Sequence, residues 1–379
     1  MKTISIIGAG PAGLMAAEKL AERGLSVSVY DHRPSPARKF LMAGRGGLNI
    51  THSEQLEDFM ARYGDAASFL RPALENFTPQ NLRDWCSELG EETFIGSSGR
   101  VFPKSFKASP LLRAWLKRLD SLGVKFHYNY EWTGQDMGTD MTILAMGGAS
   151  WPRLGSDAAW TKILTEHGIQ INPFRPTNCG FTTNWSNVFK EKYAGTPIKP
   201  VIITHENQSV QGEIMVTQNG VEGGGIYALS RFIRDSIDKK NQTTINLDLK
   251  PDTSIDKLTK LLNKPRGRDS FSNHLRKTLS LSPVVIGLLQ EDRNIQSLSH
   301  QNLATHIKSY PLVLNSIAPI DRAISSAGGI ARDELTDNFM LKKIPNTYAI
   351  GEMIDWEAPT GGYLLQASFS MAVYLARNL

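Results

Sequence analysis

Glycines at 8, 10 and 13, followed by an aspartate at 31, are the residues of this chain whose types and spacing point most directly to a chemistry. The string IGAGPAGLMAA fits G-x-G-x-x-G, and Asp31 follows about 20 residues later. Gly8 permits a tight turn. Gly10 leaves the backbone bare for a pyrophosphate to approach, and Gly13 lets a helix pack close to a sheet. Unpaired N–H groups at the start of that helix would face the phosphates. Asp31 is suited to accept hydrogen bonds from a ribose diol. Pro11, Ala12, His32 and Arg33 adjoin these positions and complete this group of expected contacts. The chemistry is dinucleotide binding.

Two later segments decide which dinucleotide. Gly351 and Glu352 follow the apolar run Thr347–Ile350, and Thr360-Gly361-Gly362 open a last periodic stretch from Tyr363 to Asn378. This resembles the C-terminal segment of two-dinucleotide-binding flavoproteins. The resemblance implies an acid at the ribityl chain or pyrophosphate, here Glu352 where many relatives carry Asp, and a helix start aimed at the flavin ring. Gly361, Gly362, Tyr363 and Leu365 are the expected contacts there. Ala145 and Gly147, in TILAMGG, resemble the strand-plus-glycine motif that returns the chain past the cofactor. Three separated segments favour FAD over NAD, which would need only the first.

Between them lies KFLMAGRGGLNIT, with Lys39, Gly44, Arg45, Asn49 and Thr51. Arg45 could stabilise a reduced flavin anion or a substrate oxyanion, or be an exposed loop arginine. Lys39 could pair with a cofactor phosphate or be a solvated surface lysine. Tyr363 could donate a proton or wall the ring; packing is preferred, because aromatic residues commonly supply buried area. Arg45 and Tyr363 are thus the catalytic candidates. No metal-ligand spacing and no Ser/His/Asp arrangement stands out.

Positioning these residues requires a β-α-β unit. Lys2–Gly8 reads as a buried strand, Leu14, Ala17, Leu20 and Ala21 recur at helical spacing, and Leu25–Tyr30 is a second strand. Further on, Val201–His205, Gly212–Thr217 and Ile245–Leu249 read as short strands. Ser254–Leu262, Ser270–Leu279 and Pro283–Glu291 read as helices. Gly220–Gly225 is better read as a strand-to-helix turn before Ile226–Ile237 than as a second anion site, since it lacks the G-x-G-x-x-G spacing. Of 379 residues 41% are apolar and 21% charged, which fits a globular protein of two or three domains. No apolar run reaches the length of a membrane helix, and the start lacks the basic region of a secretory signal, so a cytoplasmic protein is expected. Cys86 and Cys179 have no CxxC spacing and read as buried thiols.

Along nearly its whole length the chain resembles the HI0933-like (YhiN, BaiN-like) flavoproteins, most specifically in GEMIDWEAPTGGYLLQAS at 351–368. It departs from them at Leu48, where many relatives have the cysteine of GGGRCN, and so resembles a divergent subgroup. The resemblance implies an α/β fold: a Rossmann-like FAD-binding domain, glutathione-reductase-like, at 1–174 plus 322–379. An inserted β-rich domain at 175–253 plus 310–321 and a small helical domain at 254–309 complete it. It implies an FAD-dependent oxidoreductase that passes hydride from NAD(P)H through flavin N5 to a conjugated C=C. With no second G-x-G-x-x-G unit, NAD(P)H would dock transiently. Two acceptor classes are implied: steroid-like enones, or a uridine of ribosomal RNA reduced to dihydrouridine. The third reading is a non-enzymatic, flavin-holding RNA-binding or assembly factor. The net charge of +5 allows an acidic partner. Lys264, Arg266, Arg268, Arg276 and Lys277 are the candidate RNA contacts, against a reading as a solvated loop and helix end.

Overall fold

A computed structural model describes residues 2–43 and 47–379. The chain divides into two compact units, Met1–Thr177 with Ile320–Leu379, and Asn178–Pro319.

The first unit is built on a five-stranded sheet with all pairs parallel. The order is Thr347–Ala349, Met141–Leu144, β1 (Thr3–Ile7), β2 (Ser26–Asp31), Lys125–Tyr128. β1 sits in the middle, so Ile4, Ile6 and Ile7 are buried; a strand covered on both faces reads as a continuous apolar run. Helix α1 (Pro11–Glu22) returns the chain between β1 and β2. It packs against the last helix, Tyr363–Arg377. Small residues on both, among them Ala12, Ala16 and Ala17 and then Ala367, Ser370 and Ala372, are buried where large side chains would hold the helices apart. The last helix is buried on nearly every side rather than along one stripe. Glu18 of α1 is fully buried; its Oε1 accepts from Trp85 Nε1 at 2.9 Å, Lys19 Nζ at 3.1 Å and Arg118 Nη1 at 3.2 Å. A buried carboxylate persists only when paired in this way.

Two smaller antiparallel sheets complete the unit. Thr51–His52, Arg100–Pro103 and Thr93–Ile95 form one, and Ser325–Ile330 with Ile171–Thr177 the other.

The second unit carries a seven-stranded antiparallel sheet that includes Pro197–His205, Gln208–Val216 and Thr243–Asp248. The glycine cluster at 220–225 ends the strand Gly220–Glu222 and opens the helix Gly224–Lys240, as the turn reading expects. The helices Ile255–Leu262, Phe271–Leu279, Pro283–Leu289 and His300–Lys308 follow. Ser254, Ser270 and Ser299 each cap one, their hydroxyls accepting the N–H of Lys257, Asn273 and Asn302. No helix among the described residues is long and apolar enough to cross a membrane.

Candidate functional site

The first unit holds a cavity of about 980 Å³ at the carboxyl ends of its parallel strands, where open α/β sheets bind ligands. Ile7–Ala12 leave β1 into it and Tyr30–Arg33 leave β2. Ala145–Gly147 enter from the strand Met141–Leu144, Ile350–Glu352 from Thr347–Ala349, and Pro359–Gly362 with Leu364 and Leu365 from the start of the last helix.

The glycine turn has the geometry its sequence asks for. A Cβ on Gly13 would lie 2.0 Å from the Gly8 carbonyl oxygen, so only glycine fits beneath the turn. A Cβ on Gly10 would meet nothing within 4 Å. Its bare backbone faces the cavity at the N-terminus of α1, where no side chain caps the helix. Those N–H groups are open to an anion. Asp31 accepts the Ala9 N–H on Oδ2 and the Arg33 N–H on Oδ1, both at 2.7 Å. A carboxylate has about four acceptor positions, so Asp31 can clamp the turn and still receive a diol.

At the other end the last helix begins on Gly362, with φ +90°; a Cβ there would lie 2.4 Å from the Thr51 nitrogen. Lys39 is already committed to protein partners. Its Nζ donates to Glu352 Oε2 and to Ser150 Oγ, each at 2.7 Å, so the expected phosphate partner is an ion-pair partner of the expected ribityl acid. Asn49 spends its amide N–H groups on the carbonyls of Thr51, at 2.8 Å, and Val101, at 3.0 Å. That turns its Oδ1 into a buried acceptor with no hydrogen-bond partner among the described residues. Among the described residues Thr360 Oγ1 and Arg33 Nε are likewise buried with no hydrogen-bond partner, and all three residues line the cavity. Leaving buried polar atoms unmatched is costly, and a polar ligand here would satisfy them. Bare glycine backbone and open helix N–H groups, a diol acceptor with the unmatched Arg33 Nε beside it, and the unmatched Asn49 Oδ1 and Thr360 Oγ1 fit an elongated dinucleotide such as FAD.

Most of the described expected contacts line this cavity: Gly8, Gly10, Pro11, Ala12, Asp31, His32, Arg33, Lys39, Asn49, Ala145, Gly147, Gly351, Glu352, Gly361, Gly362 and Leu365. Gly13 and Thr51 do not line it; they stand behind its wall, Gly13 under the turn and Thr51 against Gly362. Gly44 and Arg45 lie outside the described residues. Tyr363 is absent from the lining. Its hydroxyl donates to Glu54 Oε1 at 2.6 Å, and its ring packs on Phe59 at 4.8 Å and His52 at 5.6 Å. Burial, and then the Glu54 carboxylate, push its phenol well above the ordinary tyrosine range. That is an anchoring role, on the packing side of the two readings. Leu48, where the cysteine of many relatives would stand, is fully buried. Burial raises the thiol of Cys86, so it is no ready nucleophile.

Sequence reasoning missed Arg100 and the segment 129–133, which also line the cavity. The segment follows the strand Lys125–Tyr128, whose place at the sheet edge beside β2 is set by long-range pairing. A polar loop after a short strand is the only local signal it carries.

The family model described as HI0933-like protein Rossmann domain matches residues 2–378. Two curated relatives, each named ribosomal RNA dihydrouridine synthase, align across almost the full length. One, from Haemophilus influenzae, is 24% identical over 399 residues, spanning 99% of this chain and 97% of its own. The other, from Escherichia coli (strain K12), is 24% identical over 397 residues with the same coverage. Among solved structures, a 3-ketosteroid Δ1-dehydrogenase from Sterolibacterium denitrificans covers all of both chains at 10% identity and a TM-score of 0.48.

Proposed function

The chain belongs to the HI0933-like family, and from that premise we propose that it is an FAD-dependent oxidoreductase that saturates a conjugated carbon–carbon double bond, the acceptor being a uridine in RNA. The observation that carries the cofactor reading is that the beginning, middle and end of the first unit converge on one cavity. The relatives' name supports the acceptor, since they match this chain over nearly their whole length.

Bound FAD would supply the two-electron chemistry. The protein's share is placement and field. The N-terminus of α1 would hold the phosphates, Asp31 would take ribose hydroxyls, and Glu352, oriented by Lys39, would hold the ribityl chain or pyrophosphate. Asn49 Oδ1 and Thr360 Oγ1 would be free to hydrogen-bond the cofactor, and the positive end of the last helix would favour negative charge on it. Overall, NAD(P)H, docking transiently, loses a hydride, and the uracil C5=C6 bond gains that hydride and a proton.

The test is mass-spectrometric mapping of dihydrouridine in ribosomal RNA from a deletion strain, paired with anaerobic stopped-flow of the purified flavin complex. Loss of one modification and bleaching of the flavin by NADH or NADPH are expected. An unchanged modification map overturns the RNA acceptor and redirects the search to small enones. Bound flavin that neither nucleotide reduces overturns NAD(P)H as donor and favours a non-enzymatic role.

A further inference from the structure

We propose that Phe106 is a stacking platform for an unpaired RNA base at the mouth of the cavity, with Arg100 receiving the nucleotide inside it. This names a substrate-binding surface for the site and rests on the RNA reading above.

Phe106 is 50% exposed, yet its φ is +57°. That left-handed conformation is rare for a bulky L-residue and persists only where the surroundings impose it. Here two backbone hydrogen bonds do so. The Phe106 N–H donates to the Pro103 carbonyl, and its own carbonyl accepts from the Leu48 N–H, both at 2.9 Å. Strain is thus spent on holding a large apolar ring at the surface, which packing of the core does not require. Two aromatic rings back it: Phe94 at 5.0 Å and Phe102 at 5.7 Å between centroids.

This ledge borders the cavity. A Cβ on Gly47, which lines the cavity, would lie 3.4 Å from Phe106 Cδ1. Arg100 shares a strand with Phe102 and also lines the cavity. Among the described residues its side chain has no hydrogen-bond or ion-pair partner. Lys104 and Lys107 flank Phe106 and are exposed; Lys104 pairs with Glu92, and Lys107 has no ion-pair partner among the described residues. A flat ring flanked in sequence by two lysines, with an uncommitted arginine in the adjoining cavity, is the chemistry that recognises a splayed nucleotide: the ring takes the base and the cations take phosphate.

The test measures binding of a fluorescein-labelled single-stranded oligouridylate of about ten nucleotides to the flavin-loaded protein. Phe106→Asn removes the ring while retaining a residue that tolerates the left-handed backbone; Phe106→Trp restores an aromatic face. We expect Phe106→Asn to weaken binding by roughly fivefold or more, with flavin content and the salt dependence of binding unchanged, and Phe106→Trp to bind within about twofold of the unsubstituted chain. Equal affinity for Phe106→Asn overturns the platform and leaves the RNA reading standing. A protein that binds no RNA at low salt removes both. Loss of flavin from Phe106→Asn assigns the ledge to the cofactor loop and overturns the proposal. A dimer that Phe106→Asn dissociates would assign the ring to a second copy of the chain, and overturns it as well.

Discussion

Gly10 and Gly13 stand three residues apart and answer different demands. Gly13 is required by the fold: its missing Cβ is the space occupied by the Gly8 carbonyl. A Cβ on Gly10 would meet no protein atom within 4 Å, so the fold itself does not require glycine there. Gly13→Ala should therefore cost more than the 1–3 kcal/mol typical of overpacking and appear as loss of soluble protein or a markedly lower melting temperature. Gly10→Ala should fold, its φ of −81° being ordinary, and cost about 1 kcal/mol as an inferior helix cap. Its FAD affinity should fall by about tenfold or more, read by flavin fluorescence titration. Equal FAD affinity for Gly10→Ala would remove the pyrophosphate from that turn. Both glycines were legible in the sequence because the motif is contiguous. The partner of Lys39 was not, because Glu352 lies 313 residues away.

The last helix shows how one element divides its work. Leu364 and Leu365 face the cavity while Tyr363 faces the helix and loop at 52–63. Neighbouring residues on an α-helix point about 100° apart, so one turn serves both the site and its support. Tyr63 donates to the Tyr363 carbonyl at 2.8 Å, fixing the backbone of that turn as well. Burial alone would raise the Glu54 carboxyl, but hydrogen bonds from Arg62 and Tyr363 outweigh it and hold the carboxyl below its usual value. A carboxyl depressed on folding stabilises above its unfolded pKa, and that stability is lost as pH falls through the folded value. Tyr363 has the opposite sign: its raised phenol stabilises fully below the unfolded value near 10 and loses that contribution as pH rises further. Tyr363→Phe keeps the ring contacts and removes the donor. It should cost about 1.5 kcal/mol at neutral pH, move the acid limb of the melting-temperature profile to higher pH, and flatten the alkaline limb. A profile that only shifts downward, with both limbs unmoved, would show the hydrogen bond to be inconsequential.

At the scale of the whole molecule, the cavity belongs to one compact unit and the basic stretch at 264–277 to the other. Within that stretch Lys277 is paired with Asp269 and Arg276 donates to Asn273, whereas Lys264, Arg266 and Arg268 are exposed and have no ion-pair partner among the described residues. If RNA is the acceptor, these three should follow phosphate. Replacing all three with Ala should reduce the slope of log affinity against log salt by about 2, from about 0.7 per single-strand phosphate contact, while flavin binding stays as it was. An unchanged slope would return the stretch to a solvated loop.

The sequence by itself determined the cradle between Gly8 and Asp31, the strand-to-helix turn at 220–225 and the helices that open at Ser254 and Ser270, because each is closed by hydrogen bonds among near neighbours or by backbone shape that glycine alone permits. Only the tertiary structure decided that Lys39 orients Glu352, that Tyr363 is turned from the cavity toward Glu54, and that Arg100 enters it. These side chains find their partners in segments far along the chain. On a helix buried on nearly every side, the pattern of apolar residues no longer says which face meets which neighbour.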